Sequence, residues 1–317
     1  MRCCYIEEFG DLDVLKIGEQ PKPKVKSHEV LIQLDYAALN PVDWKISGGH
    51  LEGLLPHVFP IILGWDGAGT VVELGSEVKN VKVGDQVFAY MRKDEVHDGS
   101  FAEYIAVDAK NIVIVPKRVS TKEAASVSLT VLTAWQALFE FAELKKGQNI
   151  LIHAGAGGVG TFAIQLAKSI GAHVLTTASE RNFDYVTELG ADSCIDYRKV
   201  DFVDAVREQC PDGVDVVFDL LGGEDLERSF VLLKKGGAMV SIVEPPREEL
   251  AEQYGVKAGF VFVRPDGEQL QKVAEMLEDG RLKLPDLHEF PLSKTKEAME
   301  MSFQRHVRGK IVIKIAE

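Results

Sequence analysis

Asn149-Ile150-Leu151-Ile152-His153-Ala154-Gly155-Ala156-Gly157-Gly158-Val159-Gly160, followed by Thr161-Phe162-Ala163-Ile164-Gln165-Leu166-Ala167-Lys168, reads as a strand, a tight glycine turn and a helix. Gly155, Gly157 and Gly160 fit G-x-G-x-x-G between an apolar run and a helix-period pattern, the setting in which that spacing has a mechanism. Gly155 is expected to make the turn, Gly157 to let the backbone approach a pyrophosphate, and Gly160 to let helix and strand pack closely. Gly158 and Val159 lie at the helix opening, where unpaired N–H groups and the positive end of the helix dipole suit an anion. A glycine turn can also be purely steric. Here His173 to Ser179 supplies a second strand after a helix of about 12 residues, as a βαβ unit requires, and favours a dinucleotide site.

Outward from this turn, strands and helices alternate. A helix is expected near residues 182–189, a strand at 194–197, a helix near 201–209, and strands at 214–219 and 238–243, the pattern of a doubly wound parallel sheet. Residues 1–119 read differently. Short apolar strands at 30–34, 69–74, 85–90, 104–107 and 112–115, separated by glycine, proline and charge, argue for a small, partly open β-barrel. A helical region opens at Thr121, with Ser120 or Thr121 as N-cap, and continues from Thr130 to Phe141. After two amphipathic helices, near 266–278 and 295–305, the apolar run 309–315 needs a sheet to join, so the chain is expected to return to its first domain.

The 317 residues leave room for two domains, and 46% hydrophobic with 27% charged residues is ordinary for a globular chain. A net charge of -13 argues against nucleic acid or an anionic membrane as partner. No apolar run reaches the ~18 residues of a membrane span. The N-terminal stretch turns acidic at Glu7-Glu8 without a signal-peptide core, so a cytoplasmic location is expected. Cys3, Cys4, Cys194 and Cys210 form neither a spaced ligand set nor a disulfide ladder.

Several stretches, in order along nearly the whole chain, resemble the zinc-independent branch of the medium-chain dehydrogenase/reductase family, the quinone oxidoreductases and enone or alkenal reductases. They are Asn40-Pro41-Val42-Asp43-Trp44-Lys45, Gly64 to Val71, Val83 to Val87, Gly99 to Tyr104, Leu132 to Leu138, the glycine turn, and Phe218-Asp219-Leu220-Leu221-Gly222-Gly223. The resemblance implies a discontinuous GroES-like β-barrel domain, residues 1–122 and 264–317, around a Rossmann domain, residues 123–263, with the active site in the cleft between them. Zinc alcohol dehydrogenases of the family carry Cys where this chain has Asn40 and a His-Glu pair where it has Trp65-Asp66, and the cysteine-rich loop of their structural zinc is missing near 91–99. Asparagine and tryptophan cannot replace those ligands, so no metal is expected. Without zinc, the fitting reaction is hydride transfer to a carbon made electrophilic by conjugation: an α,β-unsaturated ketone or aldehyde, or a quinone.

The tip of the second strand reads Ser179-Glu180-Arg181-Asn182. Ser179 and Asn182 can donate hydrogen bonds and Arg181 can pair with a phosphate, which resembles the Ser-x-Arg-Asn stretch of NADPH-using enone reductases; Tyr197 falls where relatives place a tyrosine on the 2′-phosphate. NADPH is the expected cofactor. Glu180 leaves an alternative, because a one-residue change of register makes it the acid that accepts the ribose of NAD.

The resemblance puts Asn40, Asp43 and Lys45 near the nicotinamide as the catalytic candidates, with Lys45 able to donate to an enolate oxygen; the other reading exposes Asp43 and Lys45 on a short helical turn. Thr133 is expected on the cofactor. Leu220, Gly222, Ile242 and Val243 lie at strand ends along its path. Phe260 and Phe262 either frame the nicotinamide or fill core, and Arg308 and Lys310 either reach the cofactor's phosphates or sit on solvated surface. The loop 48–60 has no tyrosine to donate a proton, leaving Lys45, a histidine of that loop or water.

Two functions from different classes follow: an NADPH-dependent reductase, or an NADPH-binding sensor or structural protein with little catalysis. A homodimer is expected, with the strand 238–243 at a sheet edge pairing across a two-fold axis.

Overall fold

The computed structural model describes residues 1–304 and 307–316. Contacts divide the chain into two units, Met1–Leu129 with Arg264–Glu317, and Thr130–Val263.

The first unit opens with β1 (Arg2–Ile6), β2 (Lys16–Glu19) and β3 (Glu29–Leu39), then α1 (Pro41–Ser47), β4 (Ile61–Ile62), β5 (Asp66–Leu74), β6 (Gln86–Tyr90), β7 (Tyr104–Asp108), β8 (Ile112–Ile114) and α2 (Thr121–Ala125). β3 is twice as long as the apolar run suggests because both halves of one edge are used: Glu29–Gln33 pair with β7, and Tyr36–Leu39 pair with a strand from the far end of the chain. Its register against β5 shifts between Leu34 and Tyr36, and such a bulge bends and twists a strand. Asn40 and α1 follow from that end.

The boundary expected at 122/123 cuts through α2. The helix packs on β3, β5 and β6, so the division falls at 129/130 rather than 122/123. Its start follows the sequence: Ser120 Oγ accepts from Glu123 N–H at 3.3 Å, and the Glu123 carboxylate accepts from Ser120 N–H at 2.8 Å.

α3 (Ser128–Trp135) runs on into a π-helix, Gln136–Phe141, and the second unit then alternates: β9 (Asn149–Ile152), α4 (Gly158–Ser169), β10 (His173–Ala178), α5 (Phe183–Glu188), β11 (Ser193–Asp196), α6 (Phe202–Gln209), β12 (Val214–Asp219), α7 (Gly223–Ser229), β13 (Leu233–Ser241), α8 (Glu248–Tyr254) and β14 (Lys257–Phe260). The six strands are parallel in the order β11-β10-β9-β12-β13-β14. The order reverses at β9, so the glycine turn leaves the sheet at its topological switch point. One expectation fails: β13, which takes in 238–241 of the expected 238–243 strand, is internal, and β14 forms the edge.

The chain returns with α9 (Gly267–Glu278), β15 (Leu287–Pro291), α10 (Thr295–Phe303) and β16 (Lys310–Lys314). β16 pairs antiparallel with β3 and completes a seven-stranded sheet in the first unit, as its apolar sequence demands. The expected end of α10 at Arg305 lies outside the described residues.

Candidate functional site

In the second unit, the backbone of the turn is set by Ala154 rather than Gly155. Ala154 sits at φ +50, a left-handed conformation that costs a side-chain-bearing residue of order 1 kcal/mol. What holds it is Thr177, next to the end of β10. Thr177 Oγ1 accepts from Ala154 N–H at 3.0 Å and its carbonyl accepts from Gly155 N–H at 3.0 Å, while Ala154 O accepts from Gly157 N–H at 3.0 Å.

Behind Thr177 lies His153, 1% exposed, with Nδ1 at 3.2 Å from Thr177 Oγ1 and Nε2 at 2.8 Å from Ser229 Oγ. The Ser229 hydroxyl donates to Asp225 O at 2.6 Å, so Ser229 Oγ accepts from Nε2–H, and Nδ1 accepts from the Thr177 hydroxyl. Burial pushes the His153 pKa down to about 4, so the ring is neutral at physiological pH.

The three glycines answer to different neighbours. A Cβ on Gly155 would lie 2.1 Å from Thr176 Oγ1, and one on Gly160 would lie 2.6 Å from both Ala154 O and Gly155 Cα. A Cβ on Gly157 meets nothing nearer than Ala154 O at 3.4 Å. Gly155 and Gly160 are therefore required by the protein's own packing, and Gly157 is open toward whatever binds the turn. Gly157 caps α4, whose first-turn N–H groups, at Gly158, Val159 and Gly160, have no intrahelical acceptor.

At the adjoining strand ends, Ser179 is buried, Asn182 Nδ2 donates to Ser179 Oγ at 3.2 Å, and Arg181 is exposed. Tyr197 is half exposed, with the Arg198 guanidinium 5.6 Å from its ring centroid. Glu180 is exposed and paired with Lys199 Nζ at 2.6 Å. The ends of β12 and β13 are tied by Asp219, fully buried, which accepts from Gly222 N–H at 3.1 Å, Leu221 N–H at 3.1 Å and Ser241 Oγ at 2.7 Å. Ser241 Oγ accepts in turn from Val243 N–H at 3.2 Å, so Leu220, Gly222, Ile242 and Val243 are held together at one end of the sheet. Phe260 and Phe262 are stacked at 6.4 Å and partly exposed, so they are not core filler. Thr133 is buried on α3.

In the first unit, Asn40 and Asp43 come together, with two partners of different standing in the sequence. Asp43 accepts from Asn40 N–H at 2.7 Å and closes the start of α1. Asn40 Nδ2 donates to Asp66 Oδ2 at 2.9 Å, and Asp66 Oδ1 accepts from Leu129 N–H at 2.7 Å. Lys310 corrects both readings of it: it is 4% exposed, its Nζ donating to Asn40 Oδ1 at 2.5 Å and Leu39 O at 2.8 Å. β16 lies beside β3, and that pairing directs Lys310 inward, away from solvent and from any phosphate.

Burial pushes Asp43 up to about 7 and Asp66 up to about 6 against the pull of the Lys310 charge, and lowers Lys310. Asp43 is thus neither exposed nor placed to touch a substrate; it is a buried brace of α1. Lys45, two residues on, faces elsewhere, half-buried with Nζ 5.9 Å from the Trp44 ring centroid. Arg308 is engaged with Asp286 at 2.5 Å, on the surface.

Sequence reasoning missed Thr177, His153, Ser229, Asp219 and Lys199, and missed Asp66 as a partner of Asn40. The available signals were Asp66 in the Gly64 to Val71 stretch, Asp219 in the Phe218 to Gly223 stretch and His153 before the glycine turn. Among the described residues, no group of three or more His, Cys, Asp or Glu could hold a metal ion.

Two family models match the chain: "Alcohol dehydrogenase GroES-like domain" over residues 26–117 and "Zinc-binding dehydrogenase" over residues 189–313. Over 322 residues it is 36% identical to the chloroplast envelope quinone oxidoreductase homolog of Arabidopsis thaliana, covering 98% of this chain and 96% of that one. The chain belongs to the medium-chain dehydrogenase/reductase family. A further medium-chain relative, the chloroplastic NADPH-dependent alkenal/one oxidoreductase of Arabidopsis thaliana, is 35% identical over 326 residues, covering 99% of this chain and 79% of the relative. The crystal structure of Escherichia coli quinone oxidoreductase complexed with NADPH superposes with a TM-score of 0.90 at 26% identity, over 99% of this chain and all of that one. Zinc in the name of one family model does not extend to this medium-chain dehydrogenase/reductase: Asn40 spends both ends of its amide on Lys310 and Asp66, and Trp65 is buried against Tyr90.

Proposed function

We propose that this chain is an NADPH-dependent oxidoreductase that reduces quinones or the activated C=C bond of α,β-unsaturated ketones and aldehydes without a metal. The observation that carries the reading is the glycine turn, packed tightly at Gly155 and Gly160 and open at Gly157, at the switch point of a six-stranded parallel sheet. Relatives named for alkenal/one and quinone reduction over nearly the whole chain support the substrate class.

NADPH, when bound, supplies the hydride. Gly157 and the first turn of α4 receive the pyrophosphate, and Ser179, Arg181, Asn182 and Tyr197 receive the 2′-phosphate. Gly222, Ile242 and Val243 line the path between strand ends, with Phe260 and Phe262 presenting flat apolar faces to the nicotinamide side. A metal-free site offers no Lewis acid, so the acceptor must already be electrophilic, and the protein's work is positioning and hydrogen bonding to the oxygen that gains charge. Lys45, half-buried beside Trp44, is the group we assign to that oxygen, whereas Asn40 and Asp43 hold the local structure.

The expected assembly is a homodimer joined along the free edge of β14, and the expected location is the cytoplasm, in keeping with four free cysteines.

The test is a nicotinamide-absorbance assay of the purified protein against enones, quinones and simple alcohols, before and after prolonged chelation. Oxidation of NADPH with enones or quinones, unaffected by chelation and absent with alcohols, is expected. About one zinc per chain with chelator-sensitive alcohol oxidation overturns the proposal, and tight NADPH binding with no turnover favours a sensor.

A further inference from the structure

β10 and β11 run parallel and end level, with Ala178 opposite Asp196, so the segments that leave them, 179–182 and 197–199, emerge side by side. Asp196, buried, ties the two: one carboxylate oxygen accepts from Glu180 N–H at 3.3 Å and the other from Arg198 N–H at 3.0 Å. The fixed backbones bring two opposite charges together, Lys199 Nζ donating to Glu180 Oε2 at 2.6 Å with both side chains more than half exposed. Arg181, next to Glu180, forms no ion pair among the described residues.

A carboxylate just past the second strand of such a sheet accepts the ribose 2′-hydroxyl of NADH and repels the 2′-phosphate of NADPH. Glu180 is such a carboxylate, one residue beyond Ser179. We infer that Lys199 determines the cofactor preference: by neutralising Glu180 it leaves the guanidinium groups of Arg181 and Arg198 as the net charge of the tip, so the tip accepts a dianionic phosphate instead of a hydroxyl. The inference rests on the reading that Ser179, Arg181 and Asn182 receive the 2′-phosphate, and adds to it the residue that makes that possible beside an acid. The Glu180 carboxylate raises the pKa of Lys199, so the ammonium stays charged at physiological pH. An exposed pair contributes little to folding, so removing Lys199 alters the charge at the tip while the fold stays intact.

The experiment measures dissociation constants for NADPH and NADH, by quenching of tryptophan fluorescence, in the intact protein and in Lys199→Ala, Lys199→Ala with Glu180→Gln, and Arg181→Ala, each checked by thermal melting. Lys199→Ala is expected to weaken NADPH roughly three- to ten-fold, the size of one screened unit charge at several ångströms, and to leave NADH unchanged or tighter. The loss shrinks as ionic strength rises. Adding Glu180→Gln restores NADPH affinity. Equal effects on both cofactors, no effect, or failure of the double variant to recover overturns the inference; the last outcome means that Lys199 itself touches the phosphate. Arg181→Ala separates this from the underlying reading. If Arg181→Ala loses preference for NADPH and Lys199→Ala does not, Lys199 has no such part while the tip remains the phosphate site; if neither loses it, both ideas fall.

Discussion

Gly157 and Gly160 stand three residues apart in one turn, and the structure asks different things of them. Gly160→Ala pushes a methyl group against Ala154 O and Gly155 Cα, backbone atoms with no freedom to yield, and is expected to cost about 1–3 kcal/mol of stability. Gly157→Val meets no such obstacle, so it is expected to melt like the unaltered protein and yet lose NADPH binding. Thermal melts paired with cofactor titration check both; a folded Gly157→Val protein with undiminished affinity removes the pyrophosphate from this turn.

Lys310 is the residue whose sequence context misled most. As a cation at the start of the apolar run 309–315 it reads as a phosphate contact or as surface, and only the antiparallel pairing of β16 with β3, set by residues 270 positions apart, turns it inward onto Asn40. Its carboxylate neighbours set a pH dependence. Asp43 and Asp66 have folded-state pKa values above the ordinary 3.8, so the folded chain holds their protons more tightly than the unfolded chain. Their contribution to stability is full below about pH 4 and lost as the pH rises toward 7. Lys310→Met leaves the two acids without their cation and is expected to lose about 3–5 kcal/mol near neutrality and above, with part of the loss recovered near pH 5, where both acids can take protons. Urea melts at two pH values test this, and an equal loss at both would argue that the lysine acts by packing alone.

At the scale of elements, the βαβ alternation and the short strands were legible because each is written in local periodicity: Asn149–Ile152 and Val214–Asp219 are apolar enough to be internal strands wherever they stand. The shape of the turn was not. Ala154 adopts the left-handed conformation, though glycines surround it, because Thr177 from the next strand captures its N–H group, and that capture is a contact across 23 residues. Thr177→Val strands the Ala154 N–H group and a ring nitrogen of His153 in a buried place, at an expected cost of about 1–3 kcal/mol. Because the turn serves the pyrophosphate common to both cofactors, NADPH and NADH should weaken by the same factor. Paired dissociation constants decide it, and a loss confined to NADPH would place the effect at the 179–182 tip instead. The sequence also misplaced the edge of the sheet, since Lys257–Phe260 carries two glycine-like small positions and little apolar signal, and its strand character comes from pairing with β13.

At the scale of the whole molecule, that edge is where the proposed homodimer would join. Val261 N–H donates to Ser241 O at 2.9 Å, so by the two-residue alternation of a strand the N–H groups of Ala258 and Phe260 face away from β13. Ala258→Pro removes an outward donor while sparing the bonds to β13, and is expected to turn a dimer into a monomer in sedimentation or light scattering. A dimer that persists in the proline variant joins through another surface.

The long reach of β16 also bears on how the chain is made. Thr130–Val263 is contiguous and has all its strands in hand once that stretch has left the ribosome, whereas the unit begun by Met1–Leu129 lacks both the strand that covers half of β3 and the ammonium that answers Asp43 and Asp66 until Lys310 has been added. During that interval the unfinished sheet exposes the Tyr36–Leu39 edge, and the two acids face an interior that does not yet contain their counter-ion. Met1–Leu129 is thus made well before the strand that completes its sheet, and the time taken to translate residues 264–310 sets a minimum on how long its open edge is offered to chaperones or to a neighbouring nascent chain.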